Sequence, residues 1–393
     1  MTKRSSLGAV SATAAAVLLF LGGAGWWYRT SRPEYRFRTG CEAARTGDFP
    51  RAVRQADALE ESGQTDFSLL LHAEIEFRRL APAQALGFLH RIKSQGDIQT
   101  QAAFLEARCL FDLHNPRAAE NVLLIVLSQD PDHIDAHRYL AQIYFDQGDF
   151  RLALPQLKQV ADLDPTNERP HIMMGWIYRD TDQYAEAAAA FQESLRRKPN
   201  GPKAEETRLE LAEVQIKNIR HADALATLGD RDGDRAIALR TEAMVAVGDA
   251  AASVPLLDQA LTKSPNHPGL LKQRADRYRD AGDNTEAAKL LERAVAADPN
   301  DFRVRTQLAN CYTALGRSGE AADQQKKVDE IQAIVKKLNE LGIKAMEDPW
   351  NPAIRLQLAG LCDQLNKPKL AKMWRDAAAA CGSVRPSPPM GGR

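Results

Sequence analysis

Residues 155–167 read PQLKQVADLDPTN, residues 255–267 read PLLDQALTKSPNH and residues 289–301 read KLLERAVAADPND. One phrase is written three times. Pro131, Pro165 and Pro199 stand 34 residues apart, as do Pro265 and Pro299, and Pro199 to Pro265 spans 66, close to two periods. A fixed period of about 20–50 residues marks a solenoid of stacked units.

Within one period, residues 134–167, two helical patterns appear. Leu140, Ala141 and Tyr144 share one helical face, and Ala153, Leu157 and Val160 share another. Gly148 breaks the first helix and Asp149 opens the turn. Asp164-Pro165 ends the second helix, because proline disfavours helix in the residue before it. Pro155 and Pro255 are placed near the start of their helices, where a missing N–H costs little. Each copy of the phrase is the back half of a helical hairpin. Ala153, Ala187, Ala287 and Ala321 let its two helices approach closely.

These positions resemble the tetratricopeptide repeat family. Residues 168–201 carry Gly175, Tyr178, Tyr184, Ala187, Phe191 and Pro199, and residues 268–301 carry Ala275, Tyr278, Gly282, Ala287, Ala294 and Pro299. Leu308, Ala309, Tyr312, Gly316 and Ala321 continue the pattern, with weaker copies on either side. The chain departs from the family at His137 and His171, where a Trp is usual, and residues 320–342 read as one elongated helix. The resemblance implies an all-α, right-handed superhelical solenoid of about ten helix-turn-helix repeats over 29–381. Its strongest copies are 100–133, 134–167, 168–201, 234–267, 268–301 and 302–335. Residues 382–393 form a Pro/Gly-rich tail.

Composition agrees with closely packed helices. Of 393 residues 44% are hydrophobic and only 6% aromatic, so a sheet core is disfavoured. Lys plus Arg equals Asp plus Glu at 52 each, which removes any general pull toward nucleic acid. The five cysteines have no CxxC spacing, so no disulfide framework or zinc site is expected.

After a basic tail at 1–6, Leu7 to Tyr28 is a charge-free run closed by Trp26, Trp27 and Tyr28. At about 1.5 Å per residue such a helix would cross a bilayer core of about 30 Å. The run is read as one uncleaved transmembrane helix rather than a cleaved signal peptide, giving a single-pass membrane protein. The side of the membrane that holds the solenoid is left open. Arg29, Arg32, Arg36 and Arg38 follow the run and point one way. The free cysteines lean toward a reducing compartment, and Lys3 and Arg4 allow the other orientation.

No phosphate loop, dinucleotide fingerprint or nucleophile elbow is present. His133 and His137 stand four apart but lack a third ligand, so no metal or cofactor is expected. The solenoid occupies nearly the whole chain, and no catalytic activity is expected. What remains is surface. In this family the first helices line a groove that binds peptides or partner helices. Helical phase nominates Arg138, Gln142 and Phe145 in one repeat and Arg169, Ile172, Trp176 and Arg179 in the next. Arg and aromatic side chains are the usual interface anchors. A ligand with apolar and acidic groups would suit them. The competing reading is that Trp176 packs between adjacent repeats. The family's clamp for chaperone C-termini is not present: Lys272 is followed one turn later by Asp276 rather than Asn. The sequence thus predicts a membrane-anchored scaffold for protein or peptide partners, in envelope assembly or secretion. The alternative is a structural spacer or a regulatory subunit of a membrane enzyme complex.

Overall fold

The computed structural model describes residues 32–348 and 351–382. Among the described residues the chain is all-α, with twenty helices and no strand. It divides into two compact units, one ending at Ala136 and the other running from His137 to Gly382.

The first unit holds α1 (Pro33–Arg45) with α2 (Phe49–Glu61), α3 (Thr65–Arg78) with α4 (Pro82–Leu89), and α5 (Asp97–Asp112) with α6 (Pro116–Gln129). The division falls inside α7 (Ile134–Gln147), which pairs in sequence with α8 (Phe150–Leu163). The second unit continues with α9 (Arg169–Asp180) and α10 (Tyr184–Arg197), then α11 (Ala204–Lys217) and α12 (His221–Leu228). Next come α13 (Asp234–Ala246) and α14 (Ala250–Lys263), and α15 (Pro268–Asp280) and α16 (Asn284–Ala297). The last are α17 (Phe302–Ala314) with α18 (Ser318–Glu347), and α19 (Pro352–Gln364) with α20 (Pro368–Gly382). Within each unit successive helices pair as hairpins, and neighbouring hairpins share cores. Ala275, Ala287 and Leu291 pack with Val304 and Leu308 of the following hairpin.

Every hairpin turns on one residue with left-handed backbone. Gly148 (φ 76) and Gly282 (φ 81) supply it at no steric cost, but Leu80, His114, Asp182, Ile219 and Asn366 take the same conformation with φ between 53 and 61. In some hairpins the next turn of chain is capped by a side chain. Asp149 accepts the Leu152 N–H at 3.3 Å, and Asp283 accepts the Glu286 N–H at 3.0 Å, each satisfying an N-terminal donor that lacks a helical partner. At the far end α8 stops at Leu163 and α16 at Ala297, just ahead of Asp-Pro in both cases. Arg197 then closes α8 from the next hairpin. Its Nη1 donates to the carbonyls of Ala161, Asp164 and Asn167 at 3.2, 3.4 and 3.2 Å.

Two local expectations change. Pro155 and Pro255 lie inside α8 and α14, past the first turn, so each leaves one helical hydrogen bond unmade. The elongated segment is a single helix of 30 residues, α18. Its C-terminal half packs Leu341 and Ala345 against Leu358 and Leu361 of α19. Within this unit α19 also reaches far back along the chain. Arg355, 0% exposed, donates through Nη2 to the Gln147 side chain and to its carbonyl at 3.4 Å.

The expected single-pass membrane location is corrected. Among the described residues no helix is long and apolar enough to cross a membrane. α18 has the length, but charged side chains recur along it, and the others have 16 residues or fewer. Leu7 to Tyr28 and residues 383–393 lie outside the described residues.

Candidate partner-binding surface

The nominated residues all fall in the second unit, on α7 and α9. Arg138 and Arg169 are exposed. Phe145 and Trp176 are half-buried and meet, with ring centroids 6.4 Å apart at 47°, and Phe150 stands 5.9 Å from Phe145. Aromatic pairs at this spacing and tilt are attractive beyond the area they cover. Trp176 also packs on the cluster of Ile172, Ala187, Phe191, Leu211 and Val214. It therefore does serve packing between hairpins, and its remaining exposed edge is what it can offer a partner. Ile172 is 6% exposed and belongs to that core, so helical phase alone placed it one step too far outward.

The polar members are tied down. Gln142 donates to Asp146 at 2.7 Å; burial nonetheless lifts the Asp146 carboxyl above its ordinary value. Arg179 bridges α9 to α11, pairing with Asp180 at 2.8 Å and with Glu210. Glu210 is held from the other side by Arg235 of α13 at 2.9 Å, and Arg235 also reaches Glu213 at 2.7 Å. Burial alone would raise the Glu213 carboxyl, but hydrogen bonding from Arg235 and the charge of Lys217 hold it below the usual range. The face formed by α9, α11 and α13 is thus stitched by alternating charges. Sequence reading nominated Arg179 for the groove and did not single out Glu210 or Arg235. Arg179, Glu210 and Arg235 lie on successive first helices but at different distances from their turns, so no fixed sequence offset announces the network.

His133 and His137 have structural duties. The Ala136 N–H donates to His133 at 3.2 Å, and the His133 ring lies 4.5 Å from that of Phe104. His137 Nδ1 is 2.6 Å from Gln156 Oε1. Among the described residues no group of three His, Cys, Asp or Glu side chains is disposed to hold a metal ion. Burial pushes the thiols of Cys41 and Cys109 up to about 12, which removes thiolate reactivity at neutral pH.

Each unit also has a cleft. In the first unit an open cleft of about 740 Å³ runs between the start of α3 and the loop after α4, where Asp66 accepts the N–H groups of Lys93 and Ser94 at 3.3 and 2.8 Å. In the second unit a cleft of about 140 Å³ lies between α13, α14 and α15.

A family model described as a tetratricopeptide repeat matches residues 144–204 and 278–333, and another of the same description matches residues 104–168. Residues 104–204 and 278–333 are thus similar to tetratricopeptide repeats. No curated protein matches the chain. Among solved structures, MamA is 19% identical over 43% of this chain and 94% of its own, with a TM-score of 0.33. TTC0263, a thermophilic TPR protein of Thermus thermophilus, is 23% identical over 46% of this chain and 99% of its own, with a TM-score of 0.39. The Cut9–Hcn1 hetero-tetramer of the APC/C is 13% identical over 92% of this chain and 90% of that chain, with a TM-score of 0.40.

Proposed function

We propose that the chain is a non-catalytic scaffold that binds a partner protein or peptide on the first-helix face of α7 and α9. The supporting observation is the arrangement of exposed Arg138 and Arg169 around the half-buried Phe145–Trp176 pair. Apolar rings with charged rims are the make-up of interface hot spots. A ligand offering an apolar side chain between acidic groups matches both. Arg179 contributes to the fold rather than to the ligand, since Asp180 and Glu210 already occupy its guanidinium.

The test is a crosslinking pull-down with the full chain and an Arg138→Ala, Arg169→Ala double variant, folding being checked by circular dichroism. Both arginines are exposed, so the variant is expected to fold. A protein recovered with wild type and lost with the variant supports the reading and identifies the partner. Recovery of the same proteins with both baits refutes it and leaves a structural spacer as the better description.

A further inference from the structure

The chain carries its own internal reference set. Count from the left-handed turn residue of each hairpin in the second unit. The fifth residue back is Ile143, Ile177, Val214, Ala243, Cys311 or Leu361, every one buried. In α15 that position is Arg277. The fifth residue forward is Ala153, Ala187, Ala224, Ala287, Ala321 or Ala371; in α14 it is Ser253, 0% exposed. The seventh back is Ala141, Gly175, Ala212, Ala275, Ala309 or Ala359; in α13 it is Thr241, 0% exposed.

Two of these departures line one gap, and the third adjoins it. Ser253 and Arg277 line the 140 Å³ cleft together with Glu242, Lys272, Gln273 and Asp276. Thr241 bonds to Gln273, which in turn donates to the Ala238 carbonyl at 2.7 Å. Arg277 pairs through Nη2 with Asp280 at 2.9 Å, while its Nε and Nη1 are buried without a hydrogen-bond partner. A buried guanidinium with unmade bonds is among the costliest features a fold can hold, and the apolar residue found at this position elsewhere would avoid it. Asp276 is not the missing acceptor: Gln307, Arg279 and Lys272 surround it at 2.9, 3.2 and 4.0 Å. Glu242 is exposed and pairs with no cation among the described residues.

We propose that this cleft binds a carboxylate, with the Arg277 guanidinium turning toward it to donate through Nε and Nη1, and with Lys272 at the mouth. Its volume is far below the roughly 300–1,000 Å³ of sites for drug-sized ligands and suits a group the size of one side chain. The carboxylate can come from a free small acid or from an acidic side chain of a peptide on the first-helix face. The site lies on α13–α15, so it stands apart from the α7–α9 surface, and small-molecule probes test it without any partner.

The experiment titrates the full chain with glutarate at constant ionic strength, with chloride as control. It reads the Arg277 Nε–H resonance and the thermal midpoint. A saturable resonance shift and a rise in midpoint with glutarate, absent with chloride, are expected. Arg277→Leu restores the residue class of the other hairpins. It is expected to raise the ligand-free midpoint while weakening glutarate binding by more than about thirtyfold, as for loss of a buried charge partner. Glu242→Gln, which removes a like charge from the mouth, is expected to tighten binding. No saturation, or an equal glutarate effect in Arg277→Leu, overturns the proposal. So does a lower ligand-free midpoint in Glu242→Gln, which would make Glu242 the partner of Arg277. A single-Glu peptide that binds more tightly than glutarate assigns the carboxylate to a partner chain, and the reverse order assigns it to a free acid.

Discussion

Gly175 and Phe191 offer a quantitative check on how these hairpins pack. A Cβ added at Gly175 would lie 2.5 Å from Phe191 Cε1 and 2.7 Å from Cδ1 and Cζ, and Phe191 is 0% exposed. The ring cannot yield as the free end of a flexible side chain would. Overpacking of this kind costs about 1–3 kcal/mol, offset by the roughly 0.5–1 kcal/mol that Ala gains over Gly inside a helix. Gly175→Ala should therefore destabilise by about 1–2 kcal/mol. Phe191→Leu alone opens a void and should cost about 1–2 kcal/mol, below the range for truncation of Phe to Ala. The two changes together rebuild the pair that other hairpins use, Ala212 with Leu228 and Ala275 with Leu291, each pair inside one core cluster. The double variant should return to within about 1 kcal/mol of wild type, a favourable coupling of about 1–3 kcal/mol. Urea unfolding followed by circular dichroism reads this as midpoint shifts at unchanged slope. Strictly additive single effects, or a Gly175→Ala chain more stable than wild type, would refute the packing argument.

Two further outcomes follow from the backbone and the charges. Ile219 is β-branched, 81% exposed and held at φ 60, a conformation that costs an L residue about 1–2 kcal/mol. Ile219→Gly should raise the urea midpoint, whereas Gly282→Ile should lower it; a fall with Ile219→Gly would show that the turn carries no strain. Hydrogen bonds from Arg196 and then Arg197 hold the Glu193 carboxyl at about 2, below its ordinary 4.5. A depressed carboxylate stabilises the fold above about 4.5, and that contribution is lost as pH falls toward 2. The urea midpoint should drop across that window, and Glu193→Gln should make the drop shallower. An unchanged slope in the variant would separate Glu193 from acid unfolding.

Hairpins were legible because their signals are local and repeated. Small residues at fixed offsets, Asp-Pro stops and turn glycines each depend on a few neighbours. Side-chain fate was less legible because it depends on the next hairpin. Helical phase put Ile172 and Trp176 on one outward stripe, but α11 brings Leu211 and Val214 against them. Arg179 read as a surface cation until Glu210 of the following hairpin came beside it. Arg277 was hidden for the opposite reason. Read as one residue among many charges it is unremarked, and only superposing the hairpins on their turn residues shows it in an apolar place. Pro155 kept its helix although it lies past the first turn, because packing of Ala153, Leu157 and Val160 outweighs one lost bond.

The contact from Arg355 to Gln147 spans 208 positions in sequence. Joining the ends of a flexible loop of that length costs about 4–5 kcal/mol of chain entropy, plus a constant. One buried hydrogen-bonded pair cannot meet that cost by itself. It becomes affordable only after the intervening hairpins have stacked and brought α7 and α19 together. Assembly of this unit is therefore expected to run in two kinetic stages: fast zippering of neighbours, then a slower clasp between remote ones. Unfolding should start at the clasp, so amide exchange at the start of α19 should outpace that in α15–α17.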